Sequence, residues 1–312
     1  MTAGQLGRFV TLGLVWGMSY PFVSVALSSF TPAQIALGRM ALGLLALAVV
    51  VAAVRPRLPR EPRTWLHLAV SSTVGMVVPF LLIGYGQQRT GAATAGVIIA
   101  ALPLITVMLS ALVLPQERAD RITVVSFLAA FGGVVLVIGP WRVELTALVG
   151  ALAVVGAATA YAMETVYIRR FLVPRRLPPV VMAAGQLVTA LVIQSCLVPA
   201  TGWPVVVPTA GAVAALLVLG LVGTGFAFVL FNRLIAEVGA NAAASVNYLV
   251  PVVSAVGAML LLGESLSWNL LAGGGVVLGA LAVGQAWPRR GRPVVPRPAP
   301  VEAQALPCGA YP

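Results

Sequence analysis

Arg39 and Glu164 are the two charged residues that fall inside the long apolar stretches of this 312-residue sequence. A guanidinium enclosed by hydrocarbon can receive an anionic group or bond to neighbouring helix carbonyls. A carboxylate there can receive a cation or exchange a proton. Other reactive chemistry is sparse. His67 is the single histidine, so neither a His-rich metal site nor an H-E-x-x-H metalloprotease motif can form. Cys196 and Cys308 lack metal or disulfide spacing. No G-x-S-x-G elbow and no G-x-x-x-x-G-K-[ST] phosphate loop occurs, so acyl transfer by that route and ATP hydrolysis are excluded. The expectation is a protein that is not an enzyme and needs no cofactor or metal. The remaining candidates for solute contact are uncharged polar and aromatic residues that lipid tolerates poorly. They are Trp16, Ser19, Tyr20, Tyr85, Thr94, Tyr161, Gln186, Thr224, Ser245, Asn247 and Tyr248.

The elements that must position these groups follow from composition. The chain is 60% hydrophobic and 9% charged, with mean hydropathy +1.02. Soluble domains carry roughly 25% charged residues, so no water-surrounded fold could hide this much apolar sequence. The apolar runs are each long enough to cross about 30 Å of hydrocarbon at 1.5 Å per residue. Ten spans are expected, at 9–27, 33–54, 65–86, 91–114, 121–140, 146–168, 180–201, 209–235, 240–262 and 268–287. The first contains Trp16 and Pro21 and leads into another span, so it is read as a membrane helix rather than a signal peptide. Residues 288–312 are rich in proline and arginine, lack periodicity and are expected to be disordered.

Arginine placement orients the chain. All nineteen basic residues are arginines, and with the N-terminus inside, sixteen of them fall on the inner side. Arg89 and Arg142 fall outside, and Arg39 within a span. That distribution follows the positive-inside rule, so the net charge of +11 reflects topology and not a nucleic-acid footprint. Both termini are placed in the cytoplasm.

One sentence of sequence occurs twice. Gly91, Pro103 and Glu117 correspond to Gly239, Pro251 and Glu264, at offsets of 148, 148 and 147. Gly132 corresponds to Gly279 and Arg39 to Gln186, again 147 apart. The chain therefore divides into repeats at 1–142 and 143–287, each with five spans, followed by the 288–312 tail. An odd number of spans per repeat forces the second copy to enter the membrane from the opposite side. The fold class is an all-α membrane protein with ten transmembrane helices in a 5+5 inverted repeat.

The motifs resemble the drug/metabolite transporter superfamily, EamA-type. They are Trp16-Gly17-x-Ser19 with Pro21, Pro32 leading to Arg39, Gly220-x-x-Gly223-Thr224-Gly225 through Asn232-Arg233, and the series Gly239, Pro251, Gly263-Glu264, Gly273, Gly279. The resemblance runs from about residue 9 to 287. It implies a solute cavity between the halves, lined by spans one, three, four, six, eight and nine. Trp16, Tyr20, Thr94, Tyr161, Thr224, Asn247 and Tyr248 fall on those spans. It also implies a secondary transporter of small metabolites, exporting across the cytoplasmic membrane. The partners are a small-molecule solute and the bilayer, with no nucleic acid, and a homodimer is compatible. A membrane sensor or assembly factor on the same helices is the rival reading.

Pro103 and Pro251 are expected to act as paired hinges, since each removes a hydrogen bond and frees the carbonyl one turn earlier. Pro21 and Pro79 are read as kinks that shape the bundle. Gly13 with Gly17, Gly275 with Gly279, and Gly132 with Gly139 are read as close helix contacts. Glu117 and Glu264 are expected to cap the fifth and tenth spans. Counted along the helices, Arg39 lies about 10 Å and Glu164 about 27 Å below the outer surface, so the two do not pair. Glu164 is expected near the inner boundary, held ionised by the arginines of 169–176. With that anchor role, the substrate is expected to be neutral, zwitterionic or weakly anionic rather than an organic cation.

Overall fold

The computed structural model describes residues 2–113, 121–139, 141, 144–201, 204, 207–238 and 245–286, and among them every regular element is a helix. Helix α1 is Ala3–Leu27 and α2 is Pro32–Val54. Each begins on a threonine, Thr2 or Thr31. Its hydroxyl accepts from the amide of a glutamine three residues on, and the glutamine side chain returns to the threonine amide. These capping boxes satisfy donors that a helix start otherwise leaves open.

Helix α3, Pro62–Gln87, contains a π-helical stretch at Thr73–Val77, and Pro79 follows it closely. Helix α4, Ala92–Val113, breaks at Ala100 and Ala101. Helix α5 is Arg121–Ile138. Helix α6, Leu145–Tyr167, continues into a π turn at Ile168–Leu172 and a 3-10 turn at Val173–Arg175. Helix α7 is Pro179–Thr201. Helix α8 joins three segments, Ala210–Leu217, the π-helical Val218–Phe226, and Ala227–Val238. Helix α9, Leu249–Leu262, follows a 3-10 turn at Ser245–Tyr248, and α10 is Trp268–Ala286.

Seven of these helices are long and apolar enough to cross a membrane. Helices α5, α9 and α10 contribute shorter apolar runs, Val124–Ile138, Val246–Leu262 and Trp268–Val283. Helices α5 and α9 each follow a stretch outside the described residues, 114–120 and 239–244, which holds Glu117 and Gly239. The expected 288–312 tail also lies outside them. Leu45, Val49, Leu112, Leu128, Leu152, Val192 and Leu260 are exposed on the helix exteriors, a surface that suits lipid and not water.

Helices pack in recurring pairs. Helix α1 lies on α9 and α4 on α6, while α2 lies on α8 and α3 on α7. Helix α1 also touches α8 as α3 touches α6, α5 pairs with α10, and α2 with α7. Glycines permit the closest of these approaches. A Cβ on Gly17 would lie 2.5 Å from Val253 Cβ, and one on Gly13 2.6 Å from Leu249. Gly86 and Gly150 meet where α3 crosses α6, each against the other's carbonyl.

The glycine reading is corrected on α5 and α10. Gly132, Gly275 and Gly279 have nothing within 4 Å of an added Cβ, whereas Gly133 and Gly273 face each other's carbonyl oxygens. From Gly132 to Gly133, one residue along the helix turns the side chain by about 100°, enough to move it from the open face to the contact. Gly139 has φ +58 at the end of α5, so its role is to terminate that helix.

Candidate functional site

Arg39 is 8% exposed on α2, and its guanidinium lies 4.0 Å from the centre of the Phe80 ring on α3. A cation over an aromatic face in a desolvated place is worth about 2 kcal/mol. Among the described residues, the buried Arg39 Nε has no hydrogen-bond partner, so the arginine is not saturated by helix carbonyls. Tyr20 on α1 and Tyr161 on α6 are its electrostatic neighbours.

Glu164 sits one turn beyond Tyr161 on α6, and Tyr161 is the electrostatic neighbour of both Arg39 and Glu164. The carboxylate Oε1 accepts from Gln186 Nε2 on α7 at 3.0 Å and from Ser71 Oγ on α3 at 3.4 Å. Gln186 Nε2 also donates to Ser71 Oγ at 2.8 Å, which closes a three-membered polar ring across three helices. The carboxyl group lies against Gly75 in the π-helical stretch, where any Cβ would overlap it. Below this ring, Ser72 bonds Thr189 at 2.9 Å, and His67 Nδ1 bonds Tyr167 Oη at 2.6 Å beside the Phe171 ring.

The expected anchor for Glu164 is therefore corrected. Its partners are Ser71 and Gln186, not the arginines that follow. The α-helix gives way to the π turn at Ile168, and two of the basic side chains bond to backbone carbonyls instead. Arg170 Nη1 donates to the Val113 carbonyl, and Arg175 donates to the Phe171 carbonyl. Arg39 and Glu164 make no ion pair with each other.

The seven cavity candidates separate into groups. Tyr20, Tyr161 and Tyr248 pack against one apolar cluster that includes Ile98, Val154 and Leu281. Tyr161 also borders a second cluster with Met40, Met76 and Leu187, so it lies at the seam between the two. Trp16 stands away from them, with its ring 5.0 Å from Phe231 in a cluster with Leu12 and Leu234. Thr224 is fully buried, its hydroxyl bonded to the Leu219 carbonyl at 3.0 Å and its methyl set against Gly43. That is a packing role between α8 and α2. Thr94 is half-buried on α4, and Asn247 is half-buried in the turn before α9. Ser71, Gly75 and Phe80 were not among the candidates. The available signal was polar Ser71-Ser72 and a glycine within an apolar span, opposite a lone glutamate.

Two apolar cavities lie elsewhere. One of about 230 Å³ lies between α1 and α8, lined by Leu14, Val15, Met18, Ser19, Phe22 and Val222 among others. One of about 150 Å³ lies among α4, α5 and α6, with Ile105, Phe127, Phe131 and Thr159 on its walls. Neither is lined by Arg39, Glu164 or the seven candidates. The polar constellation, not cavity size, marks the candidate site.

Glu264 has a separate role at the other end of the bundle. Gly263, with φ +66, ends α9 and turns Glu264 towards α4. Its two oxygens accept from the Ala92 and Ala93 amides at 2.8 and 3.2 Å. The glutamate thus caps the start of α4, not the tenth span as expected. A negative group there complements the helix dipole.

Comparison with known proteins places the chain among transporters. The profile described as "EamA-like transporter family" matches residues 8–139 and again 148–283. A relative from Streptantibioticus cattleyicolor, described as "Probable terminal-alkyne amino-acid exporter", is 25% identical over 251 residues, covering 80% of this chain and 83% of the relative. The "Uncharacterized transporter YvbV" of Bacillus subtilis is 26% identical over 266 residues, covering 84% and 85%. A solved structure described as "Crystal structure of protein" superposes with TM-score 0.65 at 21% identity, over 92% of this chain and 98% of that one. At that identity the likeness concerns the fold.

Proposed function

We propose that this chain, which belongs to the EamA-like transporter family, is a secondary transporter that exports small amino-acid-like or other neutral or zwitterionic solutes by alternating access. It is a multi-pass membrane protein. The proposal places it in the cytoplasmic membrane, with both termini in the cytoplasm.

The observation that carries this reading is the packing pattern. Exchanging each of α1 to α5 with the helix five places later turns α1 on α9 into α6 on α4. It likewise turns α2 on α8 into α7 on α3, and α1 on α8 into α6 on α3, while α5 with α10 and α2 with α7 map onto themselves. This equivalence supports ten spans as a 5+5 inverted repeat, with halves at 1–142 and 143–287. In such a repeat each half can adopt the conformation its partner has just left, which is the basis of alternating access. Arg39 and Glu164, unpaired with each other near Tyr161, support a charge-bearing but overall neutral solute. The name of the S. cattleyicolor relative supports an amino-acid-like solute and the outward direction.

Purified protein in liposomes tests the reading directly. Counterflow of a neutral amino acid that needs no second protein is the expected result. Absence of flux for amino acids, nucleosides and amines alike would favour a sensor or assembly factor.

A further inference from the structure

We propose that Glu164, Ser71 and Gln186 form an ammonium-binding subsite, which takes a primary amine, alone or as the amino group of a zwitterionic solute. The proposal rests on the transporter reading and names a group that its solute carries.

The ring of hydrogen bonds uses up its donors and leaves acceptors. Gln186 Nε2 gives its hydrogens to Ser71 Oγ and Glu164 Oε1, and the Ser71 hydroxyl also points at Oε1. Among the described residues, nothing donates to Glu164 Oε2 or to Gln186 Oε1. Two acceptors left open to a donor, one of them on a carboxylate, suit a ligand that is cationic and carries several N–H groups. A primary ammonium has three.

Charge leads to the same ligand. An ionised carboxylate inside a helix bundle is costly unless it is compensated. Arg39 sits over Phe80 while Arg170 and Arg175 bond to backbone carbonyls, so none of these three neutralises it. Ser71 and Gln186 orient the group without neutralising it. A cationic ligand completes the site.

Shape sets the size. The carboxyl group rests on Gly75, in the π-helical stretch Thr73–Val77, where an added Cβ would overlap it. Both carboxylate oxygens lie close to the Gly75 backbone, so a side chain at position 75 would displace the carboxylate and any cation bonded to it. A quaternary ammonium has no N–H to offer and carries methyl groups that hold its nitrogen away. Tyr161 is the electrostatic neighbour of both Glu164 and Arg39, which do not pair with each other.

The test uses the purified full-length protein with leucine, isopentylamine, its N-trimethyl analogue and 4-methylpentanoate. Binding is read by titration calorimetry and thermal shift. Wild type is expected to bind isopentylamine at least tenfold more tightly than the trimethyl analogue, and leucine more tightly than 4-methylpentanoate. Glu164→Gln and Gly75→Ala are each expected to erase both preferences, and Glu164→Asp to keep part of them. Equal affinity for the primary and quaternary amines in wild type would overturn the proposal without any variant. So would a Glu164→Gln protein that retains the preference. If wild type binds no amine and Glu164→Gln abolishes only flux driven by a pH gradient, Glu164 is a proton acceptor and the proposal fails. Liposome flux separates the two readings. Amine binding without any solute movement would sink the transporter reading and leave the subsite standing.

Discussion

Gly17 and Gly279 each end a small-residue spacing of four, yet they meet different surroundings. An added Cβ at Gly17 would collide with Val253, while the same atom at Gly279 has nothing within 4 Å. Overpacking costs about 1–3 kcal/mol and open-face substitutions stay within about 0.5 kcal/mol. Gly17→Ala is therefore expected to lower the melting temperature in detergent clearly, and Gly279→Ala to leave it unchanged. Thr224 offers a parallel contrast. Its hydroxyl is bonded within α8 and its methyl fills the space beside Gly43. Thr224→Val keeps the shape, so solute affinity should remain within twofold of wild type, and a tenfold loss would return Thr224 to the cavity. Glu264→Gln removes the charge that caps α4 at Ala92 and Ala93. The expected cost is about 1 kcal/mol, seen as a lower melting temperature that added salt makes smaller.

At the scale of the helix, one irregularity falls at the candidate site. The π stretch of α3 holds Gly75 against Glu164. Such single-turn departures from α geometry are frequent at functional sites. The two duplicated prolines sit in matching irregular places. Pro103 follows the break at Ala100 and Ala101 in α4, and Pro251 follows the 3-10 turn Ser245–Tyr248 that leads into α9. Each proline thus follows an interruption of regular α geometry, a local basis for hinge bending. The double variant Pro103→Ala with Pro251→Ala is expected to insert normally but transport several-fold more slowly. Wild-type initial rates of counterflow would reduce both prolines to shape alone.

For the whole molecule, the arginine distribution makes a topological prediction. Reporter fusions after Arg63 and Arg176 should report cytoplasm, and a fusion after Arg142 the outside. An external signal at Arg176 would contradict the opposed orientation of the halves, because that position follows the sixth span. The same orientation places the Glu264 cap of α4 at the outer end of the bundle and the His67–Tyr167 pair towards the inner end.

Composition and periodicity alone determined the membrane class, because hydropathy is a sum over residues and needs no contacts. The duplicated glycine, proline and glutamate positions were likewise readable, since repetition is a property of the string. They led to the family, and the family profile matches the chain twice. What surrounds each side chain could not be read this way. Arg39 turned out to lie over Phe80, 41 positions later in the chain, and Glu164 to bond Ser71 and Gln186 on two other helices. Counting 1.5 Å per residue along a straight helix gives depth, but it says nothing of rotation or of which neighbour faces the group. The π turn after Tyr167 adds a change of phase that no α-helical count contains. Likewise the α5–α10 contact passes through Gly133 and Gly273 and not through the repeat-matched Gly132 and Gly279, a choice that only the packed helices decide.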